Sequence, residues 1–79
     1  MRGVDFNYTQ DLWETERASA LSRPNGGPVY TIFADGTVGD GYLVITRFSC
    51  REGAHTVLNA AGFRCIETTP EYSRFKAQR

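Results

Sequence analysis

Apolar residues recur along the chain with two periods, and the changes of period mark out the elements. Val4, Phe6 and Tyr8 alternate with polar residues, so residues 1–8 predict a short extended lead-in. Asn7 or Thr9 can then cap a helix running to about Ser22, and Gln10 stands three residues after Asn7 as in a capping box. Its apolar residues are Leu12, Trp13, Ala18, Ala20 and Leu21, a thin stripe that predicts a helix lying on a surface by one edge. Asp11, Glu14 and Glu16 occupy its first half, where carboxylates complement the positive end of the helix dipole.

The run Arg23-Pro24-Asn25-Gly26-Gly27-Pro28 stops that helix. Val29 to Ala34 then reads as a strand, rich in β-branched and aromatic residues. Asp35-Gly36 predicts a type I′ hairpin turn into a second strand from Thr37. Asp40-Gly41 is either a second turn or a bulge. Tyr42 to Phe48 is strand-like, with Tyr42, Val44, Thr46 and Phe48 on one face and Leu43, Ile45 and Arg47 on the other.

Helical periodicity is clearest further on. Ala54, Val57, Leu58 and Ala61 fall on one helical face, Ser49 and Glu52 fit a capping box, and Gly62 is placed to close the helix in the left-handed conformation. Phe63 to Thr68 predicts a return strand. Thr69-Pro70-Glu71 opens either a short last helix, with proline at its first position, or a loose tail. The order predicts one α+β domain over residues 1–79: a small two-layer sandwich, an antiparallel sheet covered by one main helix with a second, N-terminal helix. The expected core is Val29, Ile32, Phe33, Leu43, Ile45, Val57, Leu58, Phe63 and Ile66.

Composition is ordinary for a globular chain, 41% hydrophobic and 23% charged, which argues against disorder. Formal net charge is zero, yet it is unevenly spread. Residues 1–40 carry three arginines against six carboxylates, or −3, and residues 41–79 carry six basic residues against three carboxylates, or +3. That asymmetry predicts an acidic and a basic face. All the basic residues except Lys76 are arginine, a chain-wide bias of the kind codon usage produces. No apolar run is long enough to span a membrane, and Met1 to Asp5 lacks the apolar core of a signal peptide. The expected location is the cytoplasm, where Cys50 and Cys65 are expected to be thiols.

Candidate chemistry is sparse. His55 is the sole histidine; with Arg51 and Asn59 it shares a helical face turned from the apolar stripe, so it is expected in solvent. Cys50 opens a helix, where a thiol can be activated, but five residues separate it from His55 and no orienting group lies nearby in sequence. The two cysteines and the histidine lack the close spacing of a zinc site. Asp35 to Gly41 lacks the acids of a calcium loop and the lysine of a phosphate loop. The sequence therefore predicts no catalytic residue, no metal and no cofactor.

Two binding surfaces remain. Arg47, Arg51, Arg64, Arg74, Lys76 and Arg79 could form a basic stripe for nucleic acid. The element order resembles a double-stranded RNA-binding domain, but that family's basic cluster opening its last helix is missing: Arg51 is followed by Glu52, Gly53 and Ala54. The acidic set Asp11, Glu14, Glu16, Asp35 and Asp40 could instead offer carboxylates to a protein that normally grips phosphates, since one arginine fork meets both.

In length, arginine bias and α+β order, Met1–Arg79 as a whole resembles the small anti-CRISPR proteins of phages and mobile elements directed at type I systems, type I-C among them. The segment Arg51 to Cys65 (REGAHTVLNAAGFRC) is compatible with that profile. The resemblance implies a non-enzymatic, stoichiometric inhibitor in the bacterial host cytoplasm. It would occupy a nucleic-acid-binding or nuclease-recruiting surface of a Cas effector subunit. No family motif carries residues over, so Asp11, Glu14, Glu16, Asp35 and Asp40 are the expected contact residues on charge and exposure alone. The alternatives are a small nucleic-acid-binding or regulatory phage protein using the basic C-terminal half, and a small redox protein or enzyme built on Cys50.

Overall fold

A computed structural model describes residues 10–24, 27–41 and 43–77. Helix α1 spans Gln10–Leu21 and strands β1 Val29–Phe33, β2 Thr37–Asp40 and β3 Leu43–Arg47 follow. Helix α2 spans Arg51–Ala61, and strands β4 Phe63–Thr68 and β5 Tyr72–Ala77 complete the order. The five strands form one antiparallel sheet in the order β3-β2-β1-β5-β4, so the last hairpin docks beside β1. The fold is the α+β sandwich its periodicities predict. The lead-in over residues 1–8, the cap candidates Asn7 and Thr9, Tyr42 and Arg79 lie outside the described residues.

Both helices lie on one face of the sheet, α2 over β1 and β4, with α1 against α2 and reaching β5. Alternation along each strand decides what faces them. Tyr30 and Ile32 of β1, Val38 of β2, Thr46 of β3, Phe63 of β4 and Ser73 and Phe75 of β5 are buried. Ala54, Leu58 and Ala61 meet them from α2, at helical spacing, and Trp13 and Ala20 are the buried residues of α1. Trp13, Tyr30 and Phe63 form a three-ring cluster with centroids 5.1–5.6 Å apart and near-perpendicular planes. Edge-to-face rings place positive edges on negative faces, which adds to the area they bury.

Three expected core residues are exposed. Phe33 is 44%, Leu43 68% and Ile66 45% accessible. Ile32 already faces the helices, so Phe33, its neighbour in the same strand, must face away. Ile66 is the extra residue of a bulge: Cys65 pairs with Phe75 and Glu67 with Arg74. A second bulge at Ile45 resets β3, where Val38 pairs with Thr46 and Gly39 with Val44. It leaves Leu43 at the corner of the sheet opposite Asp40. Both bulges sit on edge strands, where they interrupt a surface that would otherwise template pairing with another chain.

Local chemistry corrects three further expectations. The Asp35-Gly36 connection is not type I′, which needs positive φ at both central residues. Only Gly36 has it, at 94°, within a three-residue loop in which its N–H donates to Phe33 O at 2.9 Å. A Cβ there would meet Phe48 O at 2.3 Å, so the loop requires glycine. Ser49 and Glu52 form no capping box: Cys50 is the N-cap, with no side-chain cap hydrogen bond. Gly62 does close α2 at φ 101°. Thr69-Pro70-Glu71 opens neither a helix nor a tail. It is a turn in which Thr69 Oγ1 accepts the N–H groups of Glu71 and Tyr72 at 3.2 and 3.1 Å, sending the chain back as β5. Asp40-Gly41 is a turn, since Asp40 pairs with Leu43 across it.

Candidate functional site

The most connected polar cluster joins α2 to the β4–β5 turn. Arg51 and His55 stand one helical turn apart and face Ser73, which β5 presents to the helices from a fully buried position. The Arg51 guanidinium donates to the carbonyls of Thr69, Pro70 (3.0 Å) and Tyr72 (2.9 Å), and to Ser73 Oγ at 2.8 Å. His55 Nε2 lies 2.9 Å from the same hydroxyl, and its ring meets Phe75 edge-on at 4.9 Å. Arg51 and His55 are therefore half-buried, not solvated as their helical face suggested; Asn59 is exposed. A shallow hollow lined by Arg51, Glu52, His55, Thr68, Thr69 and Pro70 opens beside them.

Burial, and then the charge of Arg51, hold His55 below its ordinary value of 6.5, so neutral imidazole is the favoured form. The unfolded chain thus takes up a proton first as pH falls. The His55 contribution to stability is complete above pH 6.5 and is lost as pH drops through the lower folded value. Denaturant midpoints taken between pH 7.5 and 5 should fall for the parent chain and stay flatter for His55→Gln. Parallel profiles for the two would show that the His55–Arg51 geometry has no energetic consequence.

Cys50 is exposed and Cys65 half-buried, and both are free thiols. Cys65 Sγ lies 3.0 Å from Thr68 Oγ1. His55 is engaged with Ser73 rather than set as a partner for Cys50. Among the described residues, no three His, Cys, Asp or Glu side chains converge to hold a metal ion. No described helix is long and apolar enough to cross a membrane.

Of the five expected acidic contacts, Glu16 and Asp40 come together at Tyr30. Asp11, Glu14 and Glu16 are exposed on α1. Glu16 Oε1 accepts the Tyr30 hydroxyl at 2.8 Å, and Asp40 pairs with Tyr30 in the sheet. Burial, the Glu16 hydrogen bond and the charges of Glu16 and Asp40 all push the Tyr30 hydroxyl pKa up. Asp35 is set apart from them. It belongs to the loop at the other end of β2, about 13 Å of strand away from Asp40. Its carboxylate accepts the Thr37 N–H at 3.0 Å, and that bond holds its pKa below the usual range. The five carboxylates therefore do not make one patch.

The basic residues are better gathered. Neither helix covers the second face of the sheet. Registers Val29↔Lys76, Thr31↔Arg74 and Phe33↔Tyr72 place these six side chains on it, because Tyr30, Ile32, Ser73 and Phe75 take the other. Arg64 pairs with Lys76, and Glu67 with Arg74. Arg47 stands opposite Thr37 and donates to its hydroxyl at 3.2 Å. Arg51, grouped with these in the sequence, is on the helical side instead. The strand β5 that carries Tyr72, Arg74 and Lys76 had no sequence signal beyond its alternation, which the preceding proline obscured.

No protein-family profile, curated protein or solved structure matches the chain.

Proposed function

We propose that this protein is a non-enzymatic inhibitor of the anti-CRISPR type, which occupies a basic, nucleic-acid-binding or nuclease-recruiting surface of a type I Cas effector subunit in the bacterial cytoplasm. The observation that carries this reading is the division of charge across the fold. Asp11 and Glu14 on the exposed side of α1, with Glu16 and Asp40 beside Tyr30, offer carboxylates away from the arginine-bearing face of the sheet. A carboxylate presents two oxygens to the arginine fork, as a phosphate does. Asp35 lies apart from this set and is not a contact in this reading.

Binding to a purified type I effector complex tests it. Asp11→Lys with Glu14→Lys should weaken binding about tenfold or more and slow association, because like charges repel the encounter. Reversing Arg74 and Lys76 should leave that binding nearly unchanged. No association of the parent chain with the complex at micromolar concentration would refute the inhibitor reading.

A further inference from the structure

The face of the sheet that neither helix covers carries a pattern that contact with a protein through α1 leaves unexplained. At one end of it Phe33, the last residue of β1, and Tyr72, the first of β5, are direct cross-strand partners. Phe33 is exposed although aromatic residues are normally buried. Arg74 follows Tyr72 on the same face, with its guanidinium carbon 5.3 Å from the Tyr72 ring centroid. One carboxylate fixes both: the Tyr72 hydroxyl donates to Glu67 Oε2 at 3.1 Å, and Arg74 Nε lies 3.5 Å from Glu67 Oε1. The Nη donors of Arg74 are left over, because the ion pair uses Nε.

Beyond Arg74 the charge pattern is unfavourable to the isolated fold. Arg64 and Lys76 are direct partners across β4 and β5, and like charges facing each other across strands destabilise a sheet. Neither forms an ion pair among the described residues. Arg47 adds a further cation at the β3 edge. Arg64, Lys76 and Arg74 thus stand against Glu67, which Arg74 already neutralises, while Arg47 lies within reach of Asp35. A polyanion relieves the Arg64–Lys76 repulsion. The exposed Phe33 ring and the half-buried Tyr72 ring on the neighbouring strand add stacking surfaces that every base can use.

We propose that the open sheet face binds single-stranded nucleic acid without sequence preference. Phe33 and Tyr72 stack bases, and Arg74, Lys76 and Arg64 contact the backbone. A duplex keeps its bases stacked and paired, so the two rings gain nothing from it. Binding at this face does not depend on which protein α1 engages.

The test uses the full chain and fluorescein-labelled oligo-dT of about 12 nucleotides at about 50 mM salt, read by anisotropy. The parent chain should bind it, with affinity falling as salt rises. Oligo-rU in a second arm reports whether the 2′-hydroxyl matters. Arg64→Glu with Lys76→Glu should weaken binding at least tenfold and lower the salt slope by about 0.7 per lost contact. Tyr72→Ala should weaken it roughly fivefold to hundredfold. Melting curves check that each variant folds. Should one fail to fold, backbone amide shifts of the parent chain during the same titration decide: they should move at Phe33, Tyr72, Arg74 and Lys76 and stay still on α1. No binding of either oligonucleotide overturns the proposal. So does a matched duplex, or a poly-glutamate peptide of equal charge, that binds as tightly, or shifts confined to α1. No effector binding by the parent chain, with its oligonucleotide binding intact, would remove the inhibitor reading alone.

Discussion

Trp13→Ala should leave the chain unfolded, or close to it, at room temperature. Trp13 is fully buried and is the largest side chain α1 contributes to the core. Its ring meets Tyr30 of β1 and Phe63 of β4 edge-on, so it ties the N-terminal helix to two strands far apart in sequence. Truncating a buried tryptophan costs about 3–5 kcal/mol, through lost burial and the cavity left behind. A 79-residue domain has a total stability of about 4–12 kcal/mol at typical values per residue. The substitution thus removes a third of the upper figure and all of the lower one. Trp13 is the only tryptophan, so tryptophan emission vanishes with it and circular dichroism follows the transition instead. Trp13→Phe, which keeps a ring against Tyr30 and Phe63, should lose much less. A denaturation midpoint unchanged in Trp13→Ala would contradict the packing of α1 on the sheet.

How far the sequence reaches is visible in the same residues. Wherever one strong period ran uninterrupted, the element and its inward face followed from it: α2, with Ala54, Leu58 and Ala61 buried, is the clearest case. Bulges defeated the reading of β3 and β4, because one extra residue reverses every later side chain and nothing in Leu43 to Arg47 or Phe63 to Thr68 announces where it falls. In the sequence Trp13 is one member of a thin stripe, since a single large ring adds little to a periodicity yet fills much volume. β5 was missed because Pro70 reads equally as the first residue of a helix. The decision came from tertiary contact: the sheet offers β1 a partner on its open side, and Tyr72–Ala77 fills it.

The same omission hid most of the candidate sites. Without β5, Arg51 and His55 had nothing to face, and their spacing on α2 looked like solvent exposure. Tyr72, Arg74 and Lys76 looked like parts of a charged tail rather than one face of a strand. The acidic set was legible as charge, but its grouping was not. Sequence distance put Asp35 next to Asp40, whereas an antiparallel strand sends its two ends to opposite sides of the sheet. Charge counts per half of the chain predicted two faces of opposite sign. The sheet register supplies which residues share the basic one, whereas the carboxylates do not gather into a single acidic patch.

Arg51→Ala should destabilise the chain by about 2–4 kcal/mol, far more than loss of a surface arginine such as Arg64. Hydrogen bonds from a charged donor contribute about 1.5–3 kcal/mol each, and those of one side chain are not additive. Arg51 donates to four acceptors at once: the carbonyls of Thr69 and Pro70 in the β4–β5 turn, that of Tyr72 at the start of β5, and the hydroxyl of Ser73. With it removed, the turn carbonyls can find water, but Ser73 is fully buried and keeps only His55 and the more distant Thr68 hydroxyl. Arg51→Lys should recover a minor part, because one ammonium cannot span acceptors that a planar guanidinium reaches together. A second readout separates this role from generic surface charge. Arg51 is one of the two causes that depress His55, the other and larger being burial. In Arg51→Ala the His55 titration, followed by NMR, should therefore move part of the way back toward 6.5, while Arg64→Ala leaves it in place. A lost midpoint without that shift would mean that Arg51 acts by packing alone. An unchanged midpoint would mean that the β4–β5 turn closes on α2 without it.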